Sequence, residues 1–233
     1  MLGEKLTDSI FIYNDYYLNT YILNNNMSLK EGSMVPYVIF KTRVRNYMEE
    51  AKPDMPKEMC LASELYEWKD VSTEDLFKNK RCVLFALPGA FTPTCSTKHL
   101  PEYNMNYEKM LSLGIDEIYC LAVNDAFVMK QWGISLGLEL DETPYSNGFK
   151  KVKLIPDGSV EFTRKMGMEC VWTSERGFGE RSWRYSMVVN DKKIEKMFEE
   201  SPRENNSAPD PFEVSDCATM MKYLEGTASI FGK

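Results

Sequence analysis

Cys82-Val83-Leu84-Phe85-Ala86-Leu87-Pro88-Gly89-Ala90-Phe91-Thr92-Pro93-Thr94-Cys95 joins an unbroken apolar run to a proline-bounded turn and a thiol. Six consecutive apolar residues read as a strand covered on both faces, since a half-exposed strand would alternate with polar residues. Pro88 and Gly89 end that strand, and the segment from Ser96 onward has the pattern of a helix, so Cys95 falls in a helical first turn. Backbone N–H groups at a helix start have no upstream carbonyl, and together with the helix dipole they favour a thiolate. A cysteine placed there is expected below its free pKa of about 8.5. Thr92, three residues earlier, is close enough in a tight turn for its hydroxyl to meet the oxygen that the sulfur attacks.

The pattern Pro88-x-x-x-Thr92-x-x-Cys95, inside the longer string LPGAFTPTCSTKHLPEY from Leu87 to Tyr103, resembles the active-site signature of the peroxiredoxins, and of their type II subfamily (atypical two-Cys and one-Cys members) in particular. A lone cysteine after a turn is more often a small buried hydrophobe, and the length of the matching string weighs against that here. The resemblance implies an α/β, thioredoxin-like fold with a central mixed β-sheet flanked by helices. It also implies a thiol-specific peroxidase acting on hydrogen peroxide and small alkyl hydroperoxides. Cys95 would attack a peroxide oxygen, Thr92 and the backbone N–H groups of the turn would hold the oxygens, and Pro88 would shape the turn and shield the sulfur. Such a site also wants a charge that never titrates away. Arg184, within SWRYSMVV, matches the subfamily's active-site arginine and is read as lying on a strand. Residue type alone does not choose it over Arg181.

No cofactor is implied; the sulfenic acid left on Cys95 must be restored by a thiol. Cys217 falls near the C-terminal helix, where the two-Cys branch carries its resolving cysteine. GFGERSWRYSMVV and DPFEVSDCATMMKYL are instead similar to the glutaredoxin- or glutathione-dependent branch. The reading adopted is a one-Cys cycle restored by glutathione or a glutaredoxin, with a two-Cys, thioredoxin-dependent cycle through Cys217 as the alternative. The family resemblance further implies a homodimer formed through loops beside the site.

Two other readings share these residues. A peroxide sensor or redox-regulated binding protein on the same fold would oxidise Cys95 without turning over. His99, the only histidine, lies one helical turn beyond Cys95 and invites a Cys–His hydrolase. Such chemistry needs a histidine oriented by a third group and usually brought from elsewhere in the chain, so His99 is read as a supporting residue. Ser96 and Asp125 are read as helix-start residues.

Composition narrows the remaining classes. In 233 residues, 28 Lys and Arg stand against 35 Asp and Glu, a formal charge of −7, which disfavours a general affinity for nucleic acid or anionic membrane. No apolar run approaches the roughly 20 residues of a membrane span. The six cysteines, Cys60, Cys82, Cys95, Cys120, Cys170 and Cys217, contain no C-x-x-C pair, so neither a zinc site nor a dithiol is indicated. Cys82 and Cys120 sit in apolar runs and read as core. A reducing compartment follows: the cytoplasm, or an organelle if residues 1–31 are a targeting segment.

Residues 1–33 read as an N-terminal extension and 34–233 as one domain with an insertion at about 46–65, where Pro53 and Pro56 oppose a helix. Strands are expected at Val35–Arg43, Tyr66–Val71, Ile118–Val123, Lys153–Ile155, Arg181–Val189 and Lys193–Phe198, the last two forming a hairpin with its turn at Asn190-Asp191. Ser72-x-x-Asp75 and Asn124-Asp125 read as helix caps, and Phe127, Val128, Trp132 and Leu136 as a core-facing helical stripe. Phe162, Met166 and Met168 are placed on a helix before a Gly-punctuated loop through Gly177 and Gly179. Ser201–Pro211 reads as a loop before a last helix carrying Met220, Tyr223 and Leu224.

Overall fold

In the computed structural model, the described residues are 28–45, 66–141, 148–173 and 176–231. Most of the N-terminal extension, the whole of the 46–65 insertion and Cys60 lie outside them.

The strand that decides the fold, β3 (Arg81–Leu87), is buried along its whole length. Its side chains divide with period two. Val83, Phe85 and Leu87 join one apolar cluster with Leu100, Tyr103, Trp132 and Leu224, while Cys82, Leu84 and Ala86 join another with Phe162, Met166 and Met187. A strand apolar on both faces can only be central, and β3 is the middle of five in the order β5-β4-β3-β8-β9. β4 (Glu117–Ala122) runs parallel to β3, β5 (Lys153–Pro156) parallel to β4, β8 (Tyr185–Asn190) antiparallel to β3, and β9 (Lys193–Glu199) antiparallel to β8. Helices cover both faces: α2 (Leu100–Met105), α3 (Tyr107–Ser112), α4 (Ala126–Ser135) and α6 (Cys217–Phe231) on one side, and α1 (Thr73–Phe77) and α5 (Glu161–Met166) on the other. This is the α/β, thioredoxin-like arrangement with a central mixed sheet.

Local signals act where the sequence places them. Ser72 and Asp75 form a reciprocal capping box at α1, and Asp125 accepts from the N–H groups of Phe127 and Val128 at α4. The β8–β9 hairpin turns one residue later than its sequence suggests, because the left-handed positions are Asp191 and Lys192, with φ of 44° and 70°. β1 (Ile39–Arg45) begins only after Val38, whose carbonyl accepts the Thr73 N–H; the stretch that runs beside β9 is Gly32–Val35, with the Val35 N–H on the Lys192 carbonyl. β1 pairs antiparallel with β2 (Tyr66–Ser72) outside the central sheet.

Three expectations need correction. The run Arg181–Val189 is two strands in different sheets: β7 (Gly179–Ser182) pairs with β6 (Glu169–Trp172), a strand that the sequence reading leaves in a loop, and β8 enters the central sheet. The break at Trp183-Arg184 has a packing cause. Trp183 stacks on Trp172 with ring centroids 6.0 Å apart and donates its indole N–H to the Glu200 carbonyl at 2.7 Å, which pulls the chain out of one sheet before it joins the next. Arg184 is therefore in the step between two strands. In α4, Trp132 is core but Phe127 is 45% exposed, since the buried face is Ala126, Met129, Trp132 and Gly133. Met168 lies beyond α5, which Gly167 ends at φ 66°.

Candidate active site

The carboxyl end of β3 and the amino end of β8 meet in register, Ala86 opposite Tyr185. One step further along each strand lie Leu87, which leads into the Pro88 turn, and Arg184. Sheet register thus brings two segments about ninety residues apart in sequence to one place.

The turn is held from both sides. Thr92 donates its hydroxyl to the Gly89 carbonyl at 2.8 Å, and Asn124 Oδ1 accepts the Ala90 N–H at 2.9 Å. Arg181 donates to the Val123 and Phe178 carbonyls and lies so close to Gly89 that a Cβ there would stand 3.1 Å from Arg181 Nη1. Phe91 takes a left-handed φ of 63°, unusual for a side chain of its size, and is 55% exposed at the rim. The Thr92 carbonyl then accepts the Ser96 N–H, which starts the helix.

Cys95 opens a π-helical turn, Cys95–His99, that runs into α2, with the Leu100 N–H on the Cys95 carbonyl. Trp132 of α4 pins this turn by donating Nε1–H to Ser96 Oγ at 3.0 Å. The thiol is fully buried, while Ala90, Thr92 and Thr94 of the preceding turn are half-buried.

Arg184, 1% exposed, presents Nη1 3.5 Å from Cys95 Sγ and 3.2 Å from His99 Nδ1. Its Nη2 donates to Asp210 Oδ1 at 2.5 Å, and the Phe212 ring lies against it with 5.6 Å between Cζ and the ring centroid. Nε has no hydrogen-bond partner among the described residues. Burial works against the guanidinium charge, yet the Cys95 sulfur and the Asp210 carboxylate hold its pKa above the ordinary value.

His99 is fully buried among Phe85, Tyr103 and Phe212. Its Nε2 lies 3.2 Å from the Ser215 carbonyl, which can only accept, so Nε2 carries the hydrogen. Nδ1 then has a lone pair, and the guanidinium, which can only donate, occupies it. Burial first, and then the Arg184 charge, push the His99 pKa well below the usual imidazole value. The ring is neutral, its one basic nitrogen is engaged, and it has no lone pair to offer the thiol. That geometry removes the Cys–His hydrolase reading.

A linked stability effect follows. Because His99 binds its proton less readily folded than unfolded, folding stability is fully present above the unfolded value of about 6.5 and declines as pH falls below it, by at most about 1.4 kcal/mol per pH unit for one proton. Glu102 and Asp157, whose carboxyls burial pushes upward, contribute with the opposite sign. Urea unfolding of the wild type and of H99N between pH 7 and 5 isolates the histidine: the variant should lack the extra acid sensitivity, and parallel curves would refute a neutral buried His99.

Among the residues marked from sequence, Cys95 and Arg184 come together directly, and Pro88 and Thr92 stand on the turn leading to Cys95. Asn124, Asp210, the Ser215 carbonyl, Trp132 and Arg181 also build the site and are not marked from sequence in those roles. The tandem Asn124-Asp125 held a usable signal, since only one of the two can cap α4 and the other is free for tertiary work. Cys217, 3% exposed at the start of α6, is a free thiol whose pKa is pushed up to about 12, chiefly by burial and then by Glu102 and Asp216.

The family model described as Redoxin matches residues 58–216. Over 192 residues the chain is 53% identical to Peroxiredoxin sll1621 of Synechocystis, with 82% of this chain and 89% of that protein covered. It is 43% identical over 198 residues to the hybrid peroxiredoxin hyPrx5 of Haemophilus influenzae, with 85% of this chain and 67% of that protein covered. Among solved structures it superposes on the Plasmodium falciparum antioxidant protein, described as a 1-Cys peroxiredoxin, with a TM-score of 0.67 and 31% identity over 85% of this chain and 99% of that one.

Proposed function

The chain belongs to the peroxiredoxins, thiol-dependent peroxidases of the Redoxin family, and on that premise we propose that Cys95 is its peroxidatic thiol, with Arg184, Thr92 and Pro88 as its immediate machinery. The observation that carries this reading is the buried contact of Arg184 Nη1 with Cys95 Sγ at 3.5 Å. A guanidinium there favours the thiolate and stays charged throughout the reaction.

The sulfur attacks one oxygen of R–O–O–H along the O–O axis. An S–O bond forms, the O–O bond breaks, and R–O⁻ departs with the electron pair to be protonated, which leaves Cys95 as a sulfenic acid. Thr92, whose own hydrogen is committed to Gly89, offers lone pairs to the peroxide proton. Arg184 Nε, which has no partner among the described residues, is a donor for the oxygen on which charge develops. Pro88, itself buried, excludes water from the sulfur. A thiol buried this fully suits hydrogen peroxide and small alkyl hydroperoxides over bulky ones.

Recovery is proposed to follow a one-Cys cycle. An outside thiol, glutathione or the active thiol of a glutaredoxin, attacks the sulfenic sulfur and releases water, and a second thiol then cleaves the mixed disulfide. Cys217 supports this by its environment, because a thiol held neutral among Glu102 and Asp216 is a poor nucleophile. The 1-Cys description of the Plasmodium falciparum relative agrees. A larger thiol can reach the buried sulfur only if the π-helical turn Cys95–His99 opens, which would break the Trp132–Ser96 hydrogen bond. The exposed apolar residues Phe91 and Phe127 suit a homodimer formed beside the site, and the compartment is a reducing one, cytoplasm or organelle.

The test is NADPH-coupled peroxide turnover with glutathione plus glutaredoxin against thioredoxin. The first couple should support turnover, and C217S should retain it within about twofold, as expected for a residue away from the reacting atoms. Turnover with thioredoxin alone, or near-complete loss in C217S, would replace this cycle with a two-Cys one. Oxidation without turnover by either couple would favour the peroxide-sensor reading.

A further inference from the structure

Arg184 is gripped from a second side by a segment that no part of the reaction above uses. Glu200, 2% exposed at the end of β9, accepts on Oε1 the N–H groups of Glu213, Val214 and Ser215 and the Ser215 hydroxyl, at 2.7 to 2.9 Å. One buried carboxylate thus folds the chain back on itself and closes residues 201–215 into a loop. The loop is fastened along its length. Trp172 donates Nε1–H to the Ser207 carbonyl, Asn205 accepts from the Val171 N–H and Asn206 from the Thr173 N–H.

Three groups on this strap reach the candidate site. The Ser215 carbonyl fixes the His99 tautomer, the Phe212 ring lies against both His99 and the Arg184 guanidinium, and the Asp210 carboxylate takes Arg184 Nη2. A guanidinium on its long stem can turn about its last bonds, and a neutral imidazole and a ring face restrain that rotation weakly. A carboxylate at one end of the planar fork fixes both its roll and its reach. With Nη2 held by Asp210, Nη1 is left facing Sγ and Nδ1, and Nε is left free of any described partner.

We propose that Asp210 is a positioning residue for peroxide reduction, its carboxylate aiming Arg184 at Cys95 and the Glu200-anchored strap holding Asp210 in place. This rests on the reading of Cys95 and Arg184 given above and adds to it a residue that touches neither sulfur nor peroxide. Asp210 works through the direction it imposes on the guanidinium, so a side chain that accepts from Nη2 at the same distance should substitute for it, and one of different reach should not.

The experiment is single-turnover oxidation of reduced protein by hydrogen peroxide, with no reductant present so that recycling plays no part, for wild type, D210A, D210N, D210E and R184M. D210A should oxidise about tenfold or more slowly, D210N should recover most of that loss, and D210E, with its charge kept but its reach lengthened, should remain slow. D210A that is folded by circular dichroism yet oxidises within about twofold of wild type overturns the proposal. If D210A does not fold, the other two variants decide. A slow D210E beside a recovered D210N sustains it, and a wild-type rate in D210E beside a slow D210N shows that charge and not aim matters, which overturns it. R184M separates the two levels: if it is crippled while D210A is unaffected, only this inference fails, and if R184M is itself unaffected, the reading of the site falls and the inference with it.

Discussion

Replacing Cys95 with serine is expected to abolish peroxide turnover, by at least about four orders of magnitude, while leaving the protein folded. The reaction needs an anionic, polarisable nucleophile at neutral pH. A serine hydroxyl stays protonated there, and no described base stands beside it to take its proton, since the lone pair of His99 is engaged by Arg184. A 10⁴-fold loss corresponds to about 5.4 kcal/mol of lost transition-state stabilisation, well within what removal of the nucleophile itself costs. No other described cysteine can stand in. Cys82, Cys170 and Cys217 are each pushed up to about 12, chiefly by burial, and burial, with Cys95 next to it, pushes Cys120 well above its ordinary value. The check is coupled turnover with the preferred reductant, alongside mass analysis of the peroxide-treated variant. Residual turnover above about one part in a hundred would mean that another thiol does the chemistry.

Arg184→Met is expected to slow oxidation of Cys95 by about 10²- to 10³-fold, the usual consequence of deleting a preorganised group aimed at developing charge. Methionine is of similar length and fills much of the same space, and Asp210, with 27% of its side chain exposed, can take water when its partner is removed. The effect should therefore appear in the oxidation rate more than in the unfolding midpoint. Lysine should fall between the two. It restores a charge but only one nitrogen, which cannot reach Sγ, His99 Nδ1 and Asp210 Oδ1 together as the guanidinium does. Stopped-flow tryptophan fluorescence can follow both variants, because Trp183 adjoins Arg184 and Trp132 is bonded to the turn of Cys95. A rate within a few-fold of wild type in R184M would show that the guanidinium is a structural ion and not part of the reaction.

What was legible in the sequence divides along a physical line. Properties that depend on neighbours along the chain could be read directly. The both-faces burial of Cys82–Leu87, the capping box at Ser72 and Asp75, the cap at Asp125 and the β8–β9 hairpin all follow from local pattern. The short motif from Pro88 to Cys95 is of the same kind, since one turn carries all three of its residues. Properties set by contacts across the fold were not readable from pattern alone. Arg184 could be chosen over Arg181 only through a family resemblance, because both are arginines in one apolar run, and only the sheet register and the Trp183–Trp172 stack separate them. Arg181 instead braces Gly89 and Val123. Asp210 looks in sequence like any polar residue of a proline-bearing loop; its place at Arg184 is created by Glu200, ten residues earlier, which gathers the N–H groups of residues 213–215. Phe127 shows the converse failure. Helical spacing made it a core residue, while the actual buried face of α4 is turned toward Trp132 and Gly133.

The most direct measurement mixes fully reduced wild-type protein with increasing hydrogen peroxide and follows single-turnover oxidation, with mass analysis of the product. One oxygen should be taken up per chain, on Cys95, with a second-order rate constant at least about 10³ times that of free cysteine at the same pH, because the thiolate, the fixed guanidinium and the gripping hydroxyl act together. Oxidation of Cys95 no faster than free cysteine, or oxygen found first on a different cysteine, would contradict a sulfur activated by Arg184.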